Sequence, residues 1–209
     1  VVEPHQNGLG GDVPLVGYDA RRSHRFVLCG QGPSPARATI AAYHAAGLDA
    51  VPGTGLMAAV VPGAFDAWMQ LLRDHGTMRV RDVLEPAIHY ARNGYPVTKQ
   101  LSKYIGGVAE TLATYWPDSA AVYLVGRAAP AAGSIQRNVK LADTYERILK
   151  ETESAKGGRE AEIEAARDAY YRGFVAEAIG KFCESERPDG TGGRQRGLLA
   201  ASDLAKYEA

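Results

Sequence analysis

The side chains able to do chemistry are scattered along this chain, and spacing alone assembles none of them into a complete site. Histidines stand at 5, 24, 44, 75 and 89. No two lie four apart on one helical stretch and no HExxH occurs, whereas a metal site needs clustered ligands. Solvated or hydrogen-bonded histidines are therefore the reading. Cys29 and Cys183 form no CxxC pair and read as small buried residues, not as a disulfide framework or a zinc site. No serine lies in GxSxG, and no Cys–His pair is legible. Residues 8–12, GLGGD, have the glycines of a phosphate loop but match neither GxGxxG nor GxxxxGK[ST]. A strand follows them, where a phosphate site needs a helix N-terminus, so they read as a turn packed closely on a neighbour. There remains CGQGPSPAR, residues 29–37, a rigid polar stop after an apolar run, with Gln31 held between two glycines.

The elements that must position these residues change character along the chain. Residues 1–30 read as β structure, and VPLVGYD and HRFVLCG around ARRS read as a hairpin. The continuous FVL implies burial on both faces. ARATIAAYHAAGLDA predicts a short helix ending at Gly47, and VPGTGLMAAVVPG predicts loop and a short strand. AFDAWMQLLRDHG predicts an amphipathic helix with Phe65, Trp68, Leu71 and Leu72 on one face and Gly76 past its end. RVRDVLEPAIHYARNG predicts another, with Pro86 tolerated in its first turns and Gly94 ending it. Residues 99–150 read as mostly helical, with Leu141, Tyr145 and Ile148 as one stripe. Arg159 to Cys183 reads as the clearest long helix, although Gly173 interrupts its propensity. ESERPDGTGGRQRG reads as a flexible polar loop. Tyr170, Trp68 and Trp116 read as core or interface residues. The charges of ERILKETES and GGREAEIEAARD read as solvated helix faces. Strands first and helices after give an α+β fold class.

Bulk composition excludes some functions. The 209 residues carry 24 Lys and Arg against 24 Asp and Glu, a formal net charge of zero. A nucleic-acid binder needs a basic face. No apolar run approaches the ~18 residues that span a bilayer. No nucleic acid, membrane, metal or cofactor is therefore expected as a partner. From residue spacing alone the reading stops at an α+β protein of unreadable function.

Five stretches, in order, carry a resemblance. VVEPHQNGLGGD, CGQGPSPA, VVPGAFDAWMQLLRDHGTMRVRDVLEPAIHYARNGYPVT, GSIQRNVKLADTYERI and GLLAASDLAKYEA resemble the large subunit of the γ-glutamyltranspeptidase family. The resemblance implies a four-layer αββα fold of the N-terminal nucleophile hydrolase type. It implies a precursor that cleaves itself into two subunits and so exposes a threonine at the start of the small one. That hydroxyl attacks an amide carbonyl, with its own amino group as base, and water or an amine then takes the acyl group. No Thr-Thr-His occurs here, so residues 1–209 are expected to be one incomplete domain, a large-subunit fragment without the nucleophile. The expected partners are the small subunit of the same precursor and a small-molecule amide.

The family's large subunit grips a substrate carboxylate with an arginine in a pattern like D-G-R-E-x-A-P. Laid on this chain, the pattern falls on residues 29–35 and the arginine position is Gln31, the one substrate-binding residue the resemblance assigns. An arginine offers a charged fork and a glutamine offers neutral amide hydrogens. Losing the fork costs a carboxylate ligand about 1.5–3 kcal/mol, the range for hydrogen bonds to charged groups. Arg37, six residues on, is a poor substitute because a fork must be pre-placed. The implied activity is an amidohydrolase or acyltransferase whose acyl group is not strictly γ-glutamyl. A dicarboxylic monoamide or an acylated β-lactam side chain would fit. The alternative is a catalytically inactive relative that serves as a binding or scaffold protein.

Overall fold

β1 (Val13–Asp19) and β2 (His24–Gly30) form an antiparallel hairpin in the computed structural model, which describes residues 1–6, 8–188 and 193–209. The Asp19 carboxylate accepts from the backbone N–H groups of Arg21 and Arg22, which sets the turn at ARRS. Val13 pairs with Gly30 and Asp19 with His24. Side chains then alternate between faces. Leu15, Phe26 and Leu28 are half-buried, whereas Val16 and Val27 are 79% and 74% exposed. The FVL run is thus not buried on both faces within this chain; a period of two hides inside it. No strand forms over the described part of residues 1–12, where Pro4 begins a turn instead.

The helical part follows. α1 (Ile40–Ala45) starts at Thr39, whose hydroxyl accepts from Ala42 N, and stops before Gly47 at φ +75°. The stretch 51–63 holds only a 3-10 turn, Leu56–Ala58, and not the strand expected there. α2 (Ala64–His75) and α3 (Val80–Asn93) come next, then β3 (Tyr95–Pro96), α4 (Lys99–Tyr115), α5 (Pro117–Tyr123) and β4 (Ile135–Gln136). α6 (Val139–Glu153), α7 (Arg159–Tyr171), α8 (Phe174–Glu184), β5 (Arg187–Pro188), β6 (Arg194–Gln195) and α9 (Ala201–Leu204) complete the order. β3 pairs with β4 and β5 with β6, both antiparallel.

α3 runs unbroken through Pro86 in its second turn, as expected, although the missing N–H costs a bond to the Asp82 carbonyl. Three further expectations change on contact with the structure. The long helix is two, α7 and α8, parted at Gly173. That residue leaves the helix at φ −110° and ψ −147°, and a Cβ on it would lie 2.9 Å from the Ala169 carbonyl oxygen. The loop ESERPDGTGGRQRG contains the β5–β6 ladder, and its centre, residues 189–192, lies outside the described residues. Cys183 is buried as expected, but Cys29 is exposed.

The core lies where α2, α3, α6, α7 and α8 meet. Phe65, Met69, Val80, Ile148, Ile163, Tyr170 and Tyr171 are its buried centre. Each such apolar side chain contributes roughly 1.5–3 kcal/mol on burial. A smaller cluster, Tyr95, Val97, Leu101 and Ile105, anchors α4. The hairpin lies against α2, with the Phe26 ring stacked on His75 at 4.0 Å. Three two-stranded antiparallel sheets among the described residues, with α2 against the hairpin and helices making up most of the rest, make the described chain α+β.

Candidate functional site

Three loops converge where β2 ends: residues 8–12, 30–37 and 60–64. The backbone joins them directly. Val61 N donates to Pro33 O at 3.1 Å and Ala64 N donates to Gly11 O at 3.1 Å. The approach is so close that side chains are excluded at two points. A Cβ on Gly32 would fall 1.6 Å from the Val61 carbonyl oxygen, and one on Gly63 would fall 2.3 Å from the Gly30 carbonyl oxygen.

Tyrosines from the core hold these loops from beneath. Tyr170 OH donates to Leu9 O at 2.6 Å. Tyr171 OH donates to Pro62 O at 2.7 Å and accepts from Asp66 N at 3.0 Å. Tyr207 OH reaches Cys29 O at 3.5 Å. Burial, then the neighbouring Asp66 and Cys29, push the Tyr207 phenol up to about 12, so it stays a neutral donor near pH 7. The start of α9 also clamps the loop. Asp203 accepts from Ala200 N and from Ala36 N. The Arg37 guanidinium donates to Leu198 O at 3.0 Å and to Leu199 O at 3.4 Å. Arg37 is therefore occupied in fixing the loop and does not turn toward Gln31.

Gln31 stands exposed at the end of β2. Its Nε2 donates to Asp12 Oδ2 at 3.4 Å, and its Oε1 accepts from the Cys29 thiol at 3.7 Å. The hairpin register produces this pairing: one step beyond Val13 and Gly30, Asp12 faces Gln31. The GLGGD segment is a turn, as expected, closed by Gly11 N to Gly8 O at 3.1 Å, but its glycines do not serve close packing, since a Cβ on Gly8 or Gly10 would meet nothing within 4 Å; it delivers its aspartate to Gln31.

A buried polar cluster sits below. Asp66 accepts from Arg167 Nε at 2.6 Å, from Gln70 Nε2 at 2.7 Å and from Ala209 N at 2.8 Å. Burial is the largest influence on Arg167 and opposes its charge, but the hydrogen bonds and charges of Asp66 and Glu164 together outweigh it, so its pKa lies above the ordinary arginine value. On α7, Glu162 takes Arg79. Two charges read as solvated, Arg167 and Glu162, are therefore buried partners. Periodicity of apolar residues could not find them. Among the described residues no group of three His, Cys, Asp or Glu could hold a metal ion, and no helix is long and apolar enough to cross a membrane.

The family model described as Gamma-glutamyltranspeptidase matches residues 1–209. The chain belongs to the γ-glutamyltranspeptidase family. Among relatives of this family, the glutathione hydrolase-like YwrD proenzyme of Bacillus subtilis (strain 168) is 32% identical over 180 residues, covering 86% of this chain and 31% of that protein. The oxamate amidohydrolase proenzyme of Klebsiella pneumoniae subsp. pneumoniae is 30% identical over 190 residues, covering 86% of this chain and 32% of that protein. The solved structure of LmbA2991HD superposes with a TM-score of 0.91 at 48% identity, over 99% of this chain and 35% of that one. The fold is that of the N-terminal nucleophile hydrolases of the γ-glutamyltranspeptidase family. The chain spans about a third of the length of these relatives.

Within the family frame, the structure brings Gln31 and Asp12 together and keeps Arg37 away from both. The pairing was available from the sequence by counting outward from the ARRS turn. Tyr171, Tyr207 and Asp203 left no such signal, since they come from the far end of the chain.

Proposed function

We propose that the complete protein is an amidohydrolase or acyltransferase of this family, to which residues 1–209 contribute part of one domain. In this reading a threonine at the N-terminus of the partner small subunit attacks an amide carbonyl carbon. The Thr Oγ–C bond forms, the C–N bond breaks, and the amine leaves with the proton taken from the hydroxyl. Water or a second amine then releases the acyl group. The task of this chain is to present the end of β2 to that acyl group. The rigid seat of residues 30–37 supports such a task, because a binding group acts best when its position is fixed in advance.

The observation that carries the reading on substrate is Gln31. It occupies the position of the family's arginine, has no charge, and is bonded to an acidic neighbour. An acyl group whose recognition depends on a carboxylate fork would be poorly held. Amide relatives such as the oxamate amidohydrolase proenzyme and the YwrD proenzyme support an amide-cleaving activity with a varied acyl group.

The test uses the full-length processed protein. Two bands on a denaturing gel and an N-terminal threonine on the smaller are expected; one unprocessed chain would refute the enzyme reading. Slow turnover of γ-glutamyl-p-nitroanilide is expected, rising in Gln31→Arg. Turnover equal to that of an arginine-bearing relative, with no gain in Gln31→Arg, would refute the reading on substrate.

A further inference from the structure

The carboxylate of Asp12 is a charge that the family comparison leaves without a task. It lies on the hairpin face that also carries Cys29 and Gln31, and all three are exposed. Its side chain bonds Gln31 Nε2 at 3.4 Å. A carboxylate only accepts hydrogen bonds, so it holds the NH2 end of the Gln31 amide toward itself. Arg37, on the same loop as Gln31, is committed to Leu198 O and Leu199 O. The pair therefore offers an incoming group mostly acceptor lone pairs and a full negative charge.

We propose that Asp12 determines acyl specificity: together with Gln31 it selects acyl groups ending in a hydrogen-bond donor, an ammonium or a primary carboxamide, and rejects those ending in a carboxylate. This rests on the reading that Gln31 faces the acyl group. Two like charges near 4 Å repel in water and do so several times more strongly near a protein surface. A carboxylate brought to Gln31 meets that repulsion, and an ammonium meets the equal attraction. Asp12 is a positioning and selecting group here, with no part in bond breaking.

The experiment takes the processed full-length enzyme and three p-nitroanilides whose acyl chains differ only in their end: carboxylate, carboxamide or ammonium. The ratio of kcat/KM for carboxylate over carboxamide should rise about tenfold in Asp12→Asn, and the ammonium ratio should fall by a similar factor. In the unaltered enzyme, raising salt from about 0.05 to 0.5 M should narrow both ratios, since exposed charges are screened. That measurement stands even where a variant fails to fold. Equal changes for all three substrates, or ratios insensitive to salt, would overturn the proposal. If Gln31→Arg moves the ratios and Asp12→Asn does not, the inference on Asp12 fails while the reading of Gln31 survives. If neither variant moves any ratio, both fail.

Discussion

Arg167 Nε donates to Asp66 Oδ1 at 2.6 Å across the contact of α7 with α2, and the two side chains are 9% and 1% exposed. The other oxygen of Asp66 holds Gln70 and the backbone of Ala209. One carboxylate thus ties two core helices to the segment whose Tyr207 reaches Cys29, at the edge of the candidate site. Removing either partner strands a buried charge, which costs about 3–5 kcal/mol. Arg167→Met and Asp66→Asn should each lower the denaturant midpoint of the complete protein by that equivalent. A loss under 1 kcal/mol in both would show the pair to be dispensable.

Close backbone approach at Gly32 makes a second prediction. A Cβ there would overlap the Val61 carbonyl, which cannot rotate away as a side chain would, whereas one on Gly53 meets nothing within 4 Å. Gly32→Ala should therefore yield little folded protein or a displaced loop. Gly53→Ala should stay within about 0.5 kcal/mol of the parent. Matched midpoints for the two variants would contradict the geometry.

The Glu162–Arg79 pair gives a pH dependence with a defined sign. The hydrogen bond from Arg79 holds the Glu162 carboxyl below its ordinary value of 4.5. A depressed folded-state pKa adds stability that is fully present above about 4.5 and is lost as pH falls through the lower, folded value. Between pH 5 and 3 the Tm of the parent should fall more steeply than that of Glu162→Gln. Parallel curves would remove this pair from the acid response.

The two thiols should differ in reactivity. Cys29 is exposed, while Cys183 is 3% exposed and burial pushes its thiol up from 9.0. Reaction needs an accessible thiolate. Alkylation at pH 8 with peptide mapping should mark Cys29 first and Cys183 only in denaturant. Equal rates at both would refute the burial assignment.

The division between what was legible and what was not follows from the range of the interactions. Apolar periodicity found α2, α3, α6 and the hairpin, since those signals are repeated every two or three to four residues. It failed at Gly173, where one residue without a Cβ turns the chain, and at residues 51–63, where Val61 pairs with Pro33 and not with a strand. It also misread Arg167 and Glu162, because a charged residue on a helix looks the same in sequence whether its partner is water or Asp66.

The sequence by itself determined the family and the α+β class, because these reside in residue order and in local hydrophobic period, and it singled out Gln31 as the residue to test. Only the tertiary structure decided what surrounds that residue. Asp12 comes from the loop before β1, Val61 from a distant loop, Arg37 is drawn off by carbonyls 198 and 199, and Tyr207 arrives from nearly 180 residues away. Such contacts arise when burial of the core brings far segments together and every buried donor and acceptor must then find a partner. No local pattern encodes which partner that will be.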